Sequence, residues 1–327
     1  GAEPKGWQQM SEDYFNYSMA LKTNGNYDLS GKWMDKFVEL KPQDMRAKDY
    51  TEHKGEYINF STDDGKYKTT NLNINTDAED FGICYFKNKI VFASSGAKPD
   101  LMKKTYNGNG KPFLNIYVSE VEAGQFKNPE KFNKSFNGKM HEGPACFNKE
   151  GTFMAYTRNN YDLKRKELVV RVEICFSRFT DGNWTKPEPF ALNSKEYSVG
   201  HPCLSADGNT LYFSSDMPGG FGGADIYRIQ KNEKGVWSNS ENLGDKINTE
   251  GDELFPFFAE KNDILFFASN GHFGLGGLDV FIGEIKGSGF GRVYNAGVPL
   301  NSQYDDFAVI VNDSMTQGYF SSNRSGG

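Results

Sequence analysis

Histidine is scarce in this chain: among 327 residues there are four, at positions 53, 141, 201 and 272. They recur at no common repeat position, and neither a His-Glu-x-x-His helix nor a Gly-x-Ser-x-Gly elbow occurs, which removes the zinc-peptidase and serine-hydrolase signatures. His141-Glu142 is the one adjacent His/acid pair of interest, and it reads more simply as a loop pair. The four cysteines, Cys84, Cys146, Cys175 and Cys203, form no CxxC pair. That spacing excludes a zinc ribbon or thioredoxin-type motif, and their flanks read as strand interiors in which a thiol behaves as a small hydrophobe. Apolar runs of about 18 residues are absent, as are the zones of a signal peptide in the first thirty residues, so a mature, soluble fragment is expected. Positive charge is not in excess either: 37 Lys+Arg stand against 43 Asp+Glu, a net charge of -6. A polyanion finds no footprint here, and nucleic acid is not an expected partner.

What is present is aromatic and glycine-rich rather than aliphatic: 27 Phe, 17 Tyr, 4 Trp and 36 Gly, with the usual apolar set at only 37%. Self-similarity explains that bias. An apolar strand ending in an aromatic and small polar residues occurs five times, anchored on Phe92, Tyr156, Phe213, Phe267 and Phe320, with spacings of 64, 57, 54 and 53 residues. That period suits a four-stranded propeller blade. Upstream hairpin partners appear in phase (Gly143-Pro144-Ala145-Cys146, His201-Pro202-Cys203-Leu204, Phe255-Pro256-Phe257-Phe258). Downstream come third strands: Asn115-Ile116-Tyr117, Glu173-Ile174-Cys175, Asp225-Ile226-Tyr227 and Asp279-Val280-Phe281. Outer strands around Trp184 and Trp237 complete the units, followed by Asn242-Leu243-Gly244 and Ile247-Asn248-Thr249.

The fold expected is mainly β: a five-bladed β-propeller over residues 51–327, preceded by a short helical segment over residues 1–50. The fifth copy contains only its first hairpin. Residues Glu56-Tyr57-Ile58-Asn59 resemble a third strand, and Asn71-Leu72 with Ile74-Asn75-Thr76 mirror Asn242-Leu243 with Ile247-Asn248-Thr249. The last blade is therefore expected to be a composite of residues 56–73 and 304–324, an arrangement that would protect edge strands. Before it, Tyr14, Tyr17, Leu21, Trp33, Phe37 and Leu40 follow helical spacing around a Gly25-Asn26-Tyr27 turn, a tetratricopeptide-like pattern.

Two glycine-rich loops, Gly219 to Asp225 and Gly271 to Asp279, are the strongest local signals. Neither opens a helix, so neither cradles phosphate. Their glycines read as positive-φ positions, with Asp225 and Asp279 accepting backbone N–H groups where the third strand begins. The functional alternative is a calcium or glycan-contacting loop, with Asp225 and Asp279 as the weak metal candidates. A second set, Asp80, Glu142, Glu253 and Asp306, precedes the innermost strand of four units, with Val199 in the third. These acids are weak binding candidates for a cation or basic peptide at the channel, or else caps on backbone amides. No cofactor and no catalytic residue is expected, and an enzyme reading would rest on fold analogy alone.

The stretch Leu204 to Ser215, the run Gly219 to Tyr227 and the closing Ser321-Ser322-Asn323-Arg324-Ser325-Gly326-Gly327 resemble the TolB-like, WD-repeat-like propeller repeats of OmpA-family envelope proteins in Bacteroidetes. With the tetratricopeptide-like start, the similarity is closest to the PorE-type component of the type IX secretion system. That resemblance implies a non-enzymatic periplasmic scaffold associated with the outer membrane, holding proteins of a secretion or envelope complex. It also implies a peptidoglycan-gripping domain, which is not within residues 1–327, so wall binding is assigned to no residue. The alternatives are a glycan-binding or glycan-cleaving propeller, suggested by the abundant aromatics, and a TolB-like propeller that captures a partner's terminal peptide in its channel.

Overall fold

The computed structural model describes residues 5–96, 112–122, 124–136, 141–160, 170–287 and 289–325; Gly326 and Gly327 of the closing motif lie outside them. Helices come first: α1 (Lys5–Thr23), α2 (Tyr27–Leu40), α3 (Met45–His53), a 3-10 turn (Lys54–Glu56) and α4 (Tyr57–Ser61). Asn26 caps α2 by accepting the N–H of Leu29, and Asp44 caps α3 by accepting that of Arg46, each satisfying an amide that helix geometry leaves without a partner. Gly25, at φ 73°, makes the left-handed turn between α1 and α2. Phe15, Met34, Phe37, Ala47 and Tyr50 bury one face of this unit. Arg46 closes it beneath the Phe15 and Phe37 rings, paired with Glu12 and Asp44 at 2.7 and 2.8 Å.

The rest of the chain is β. The first sheet holds β1 (Asp80–Phe86), β2 (Lys89–Ser94), β3 (Asn115–Glu122), β4 (Gln125–Phe126) and β5 (Glu130–Lys131). The second holds β6 (Glu142–Phe147), β7 (Phe153–Asn160), β8 (Arg171–Thr180), β9 (Asn183–Trp184) and β10 (Glu188–Pro189). β11 (Val199–Leu204), β12 (Thr210–Ser215), β13 (Asp225–Gln230) and β14 (Glu241–Asn242) form the third. The fourth comprises β15 (Glu253–Ala259), β16 (Ile264–Ser269), β17 (Asp279–Lys286) and β18 (Gly289–Asn295). Last come β19 (Asp306–Val311) and β20 (Gly318–Ser322), a hairpin whose strands pair only with each other among the described residues.

Every sheet is an antiparallel meander, and the sheets pack face to face: β1 on β6, β11 on β6 and β15, and β19 on β15 and β1. This is a propeller arrangement of four full blades, with the β19–β20 hairpin standing between the fourth and the first. The anchors meet the expectation, since Tyr156, Phe213 and Phe267 are almost wholly buried between sheets. The core between the second and third blades joins Phe153, Ile174, Phe176 and Phe190 to Leu211, Phe213, Tyr227 and Ile229. Full burial of each such side chain contributes about 1.5–3 kcal/mol.

The composite last blade does not form as expected. Residues 57–61 are α4, residues 62–79 contain no strand, and helical structure continues past residue 50 to Ser61. The short Tyr57-Ile58-Asn59 run has an exposed Ile58, whereas Tyr57 and Phe60 gain ring contacts with Tyr27 and Phe273 as a helical turn. Packing decided against a sequence that suits either state.

One polar device recurs between blades. The Asn193 side chain accepts the N–H of Ile174 and donates to its C=O at 2.9 and 2.7 Å. Asn248 does the same to Ile226 at 2.8 and 3.0 Å, and Asn301 to Val280 at 2.8 and 2.9 Å. Replacing buried Asn248 by Ala leaves the Ile226 N–H without its partner and its C=O with the Leu243 N–H alone. The expected loss is about 2–4 kcal/mol of unfolding free energy, read as a lower urea midpoint at an unchanged slope.

Candidate functional site

The acids before the innermost strands are locked into the frame rather than presented together. Asp80 accepts from the Thr76 N–H and hydroxyl at 2.7 Å each, and Glu253 from the Thr249 N–H and hydroxyl and from Ser269. Asp306 accepts from Ser302 and pairs with Arg324. Glu142 is buried at the start of β6. Burial pushes the Glu253 carboxyl above its usual range. The capping alternative describes Asp80 and Glu253, each of which accepts a backbone N–H, while Asp306 is held by a hydroxyl and a guanidinium.

Asp225 and Asp279 also act locally. Asp225 accepts the Phe221 N–H and an Asn242 side-chain N–H, and Asp279 accepts the Gly276 N–H, at 2.6, 2.7 and 2.8 Å. Burial pushes the Asp279 carboxyl up to about 7, against the opposing field of the Lys22 ammonium. Among the described residues no group of three His, Cys, Asp or Glu side chains is placed to hold a metal ion. The loop glycines differ from expectation as well: only Gly219 has a positive φ. A Cβ on Gly222 would meet the Glu250 backbone at 2.3 Å, and one on Gly276 would meet the Tyr304 carbonyl at 2.1 Å. These glycines serve close approach to the next blade's entry loop.

The fourth-blade loop is where the helical unit docks. Asp49 on α3 accepts the Phe273 N–H and pairs with His53 at 2.9 Å and with buried His272 at 3.8 Å. The other ring nitrogen of His272 meets the Ile247 carbonyl at 2.9 Å. Tyr50 and Phe60 enclose the Phe273 ring edge-on, Tyr27 donates to the Leu275 carbonyl, and the Met45 N–H donates to Glu250. Hydrogen bonding to Asp49 raises His53 to about 8, and the same carboxylate raises His272. His53 thus stabilises the folded state most fully below about pH 6.5, and its contribution is lost as pH rises through about 8. In Asp49→Asn the His53 titration followed by NMR is expected to fall toward about 6.5.

The central channel was not legible in the sequence pattern. Each innermost strand has a bulge at one position, where Gly82, Gly143, His201, Phe255 and Ala308 take positive φ. For three non-glycine residues that conformation is strained, and their surroundings must hold it. The bulge helps turn rings inward: His201 stacks on Phe255 with centroids 3.8 Å apart, while Phe255 meets Phe307 at 4.8 Å and Phe81, from a non-adjacent blade, at 6.4 Å. This plug crosses the axis. On the side of the hairpin turns, next to it, lies a cavity of about 700 Å³.

Three cysteines from successive blades, Cys84, Cys146 and Cys203, converge on its wall, with Pro144, Pro202 and Pro256. Burial holds all three thiols well above their ordinary pKa, Cys203 at about 11, so they line the cavity as small apolar groups. Around them stand Tyr85, the amides Asn148, Asn262 and Asn312, and the charged Lys87, Lys149, Lys261, Glu260 and Asp313. Cys84 and Cys203 occupy equivalent repeat positions just after the bulge, which was the available signal, whereas Cys146 lies one residue further on, where the third blade has Leu204.

No family model matches the chain, and no curated protein matches it. Among solved structures it is similar to a puromycin-hydrolysing peptidase of Mycobacterium tuberculosis, at 12% identity over 73% of this chain and 34% of that one, with a TM-score of 0.42. It is also similar to a β-1,2-mannobiose phosphorylase from Listeria innocua, at 9% identity over 71% and 79% of the two chains, TM-score 0.42. A GH43 β-xylosidase/α-arabinofuranosidase from a compost metagenome gives 8% identity over 74% and 84%, TM-score 0.42. The chain spans about a third of the peptidase's length. These likenesses concern fold alone. They correct the expectation of a non-enzymatic protein, because the similar folds belong to peptidases and glycoside-acting enzymes and the architecture supplies no ground for excluding catalysis.

Burial lowers His201 to about 4, and its Nδ1 has no hydrogen-bond partner. Its neutral form is favoured on folding, so stability is present above about pH 6.5 and falls as pH drops through about 4. In His201→Phe that acid-side loss is expected to flatten in thermal melts taken across this window.

Proposed function

We propose that the chain is a ligand-binding propeller whose site is the plugged central cavity and whose ligands are saccharides. In this reading the β19–β20 hairpin is the fifth blade. The supporting observation is a cavity of about 700 Å³, closed on one side by the ring cluster and bordered on the other by Tyr85 and three asparagines. A sugar has an apolar face and a rim of hydroxyls. An apolar wall with an aromatic and several amides matches both, and the volume falls within the range of about 300–1,000 Å³ usual for small-ligand sites.

Glu260 and Asp313 are the carboxylates on the cavity lining. Cleavage of a glycosidic bond would call on two such groups about 5–10 Å apart. A glycan array followed by calorimetry tests the reading: saturable binding is expected, weakened about tenfold or more in Tyr85→Ala or Asn262→Ala. Any release of reducing ends should be lost in Glu260→Gln or Asp313→Asn. Absence of saturable saccharide binding would overturn it.

A second reading is the periplasmic, outer-membrane-associated scaffold implied by the OmpA-family resemblance. The docking of the helical unit on the fourth blade through Asp49, Phe273 and His272 favours it, since a fixed relation between two binding surfaces suits assembly of a complex. Recovery of outer-membrane or secretion proteins by this chain from envelope extracts, with no saccharide bound, would select this reading over the first.

A further inference from the structure

The contact between the helical unit and the fourth blade holds a proton that its geometry calls for. The His272 side chain is 8% exposed, with Nε2 2.9 Å from the Ile247 carbonyl and Nδ1 3.8 Å from the Asp49 carboxylate. A carbonyl and an ionised carboxylate only accept, so both contacts attract together only when both ring nitrogens carry a proton. The rest of the His272 environment belongs to the propeller. Its ring packs on Phe267 and Phe281, and its backbone N–H donates to Ser269, whose hydroxyl donates to Glu253. Asp49 is the partner that the helical unit brings.

The chain between that unit and the first blade permits separation. Residues 62–71 are exposed and contain no strand, and an extended run of that length spans about 30 Å. Separation would break a small set of polar contacts spread over the interface. They are the Phe273 N–H to Asp49, the Met45 N–H to Glu250, the Tyr27 hydroxyl to the Leu275 carbonyl and the Val298 N–H to the Phe60 carbonyl.

We propose that His272 is a proton-dependent latch: its imidazolium holds the helical unit on the fourth blade, and loss of that proton releases the unit and uncovers Phe273. Burial opposes a charge on His272, but Asp49 and Glu253 outweigh it and raise the group. A proton held more tightly in the docked state makes docking fullest below the free imidazole's value of about 6.5. Each pH unit above that favours release about tenfold, until the docked-state proton is itself lost. The other charged groups at this contact are Lys22 of α1, His53 of α3, Glu250 of the entry loop, Glu253 of β15 and Asp279 of β17. His53 shares a helix with Asp49 and keeps it in either position, so it does not sense docking. Burial raises Glu253, Glu250 and Asp279, so whatever part of that burial the unit supplies also weakens docking as pH rises. Burial lowers Lys22, whose contribution runs the opposite way and grows as pH rises.

Nitrogen-15 NMR of the His272 ring and amide-exchange protection factors, both taken on the whole chain from about pH 6 to about pH 9.5, test the latch. His272 is expected to carry both protons at about pH 6.5 and to lose one only above it. Protection at Met45, Phe273 and Val298 should fall about tenfold per pH unit over that interval, while Ile226 in the third blade keeps its own. The Val298 N–H bonds Phe60 rather than Asp49, so its response separates release of the whole unit from a local change at Asp49. His272→Gln keeps an N–H for the Ile247 carbonyl and leaves Lys22, Glu250, Glu253 and Asp279 in place. Their dependence on pH persists in this variant, and the tenfold fall per unit is lost. A His272 ring that titrates at or below about 6.5, unchanged Val298 protection across the range, or the wild-type pH dependence in His272→Gln would each overturn the proposal. If the variant does not fold, the wild-type ring titration and Val298 protection decide. His272 is not on the cavity wall, so the result is independent of the saccharide reading.

Discussion

The architecture turns on a side-chain amide standing in for a strand. Two outer strands are short, β10 and β14 having two residues each, and near the start of the third strand the outer segment supplies only one N–H, from Phe190, Leu243 or Ala296, to the carbonyl of Ile174, Ile226 or Val280. Asparagine carries one acceptor and two donors in a fixed plane, and it satisfies both groups of a single residue, Ile174, Ile226 or Val280. In the last two cases the following residue, Thr249 or Ser302, holds the acid that starts the next innermost strand. Third strand, entry loop and neighbouring first strand become one connected network, and the apolar faces are brought into register for packing.

That network explains why the conspicuous motifs proved structural. Glu253 and Asp306 belong to the inter-blade link, and Asp225 and Asp279 hold the glycine-rich loops to the strands they precede. Those loops lie so close to the next entry loop that no side chain fits at Gly222 or Gly276. In the fourth blade the loop gained a further role: His272 and Phe273 are gripped by Asp49, Tyr50 and Phe60 of the helical unit. The cavity proposed as the ligand site lies instead on the axis, where bulged inner strands place a ring plug beside it.

Legibility followed periodicity. The anchors, the hairpins and the helical start could be read because an aromatic that returns at the same strand position marks a side chain each sheet must bury against its neighbour, and Phe213 and Phe267 are buried in that way. Residues 57–61 misled because a run of five carries no period, and its fate was set by Phe273, more than two hundred residues away. The meeting of Cys84, Cys146 and Cys203 needed ring closure before sequence distance could become proximity, although Cys84 and Cys203 share a repeat position. Positive φ at His201, Phe255 and Ala308 left no mark in residue type, since none is glycine or asparagine.

Amide hydrogen exchange along the whole chain tests most directly the claim that side-chain clamps organise the blades. The amides of Ile174, Ile226 and Val280 should be among the slowest to exchange, and the Ile226 amide should lose protection in Asn248→Ala beyond the change at amides far from the clamp. Fast exchange at the three clamped amides, or an Ile226 amide no more affected by Asn248→Ala than those distant amides, would contradict the account.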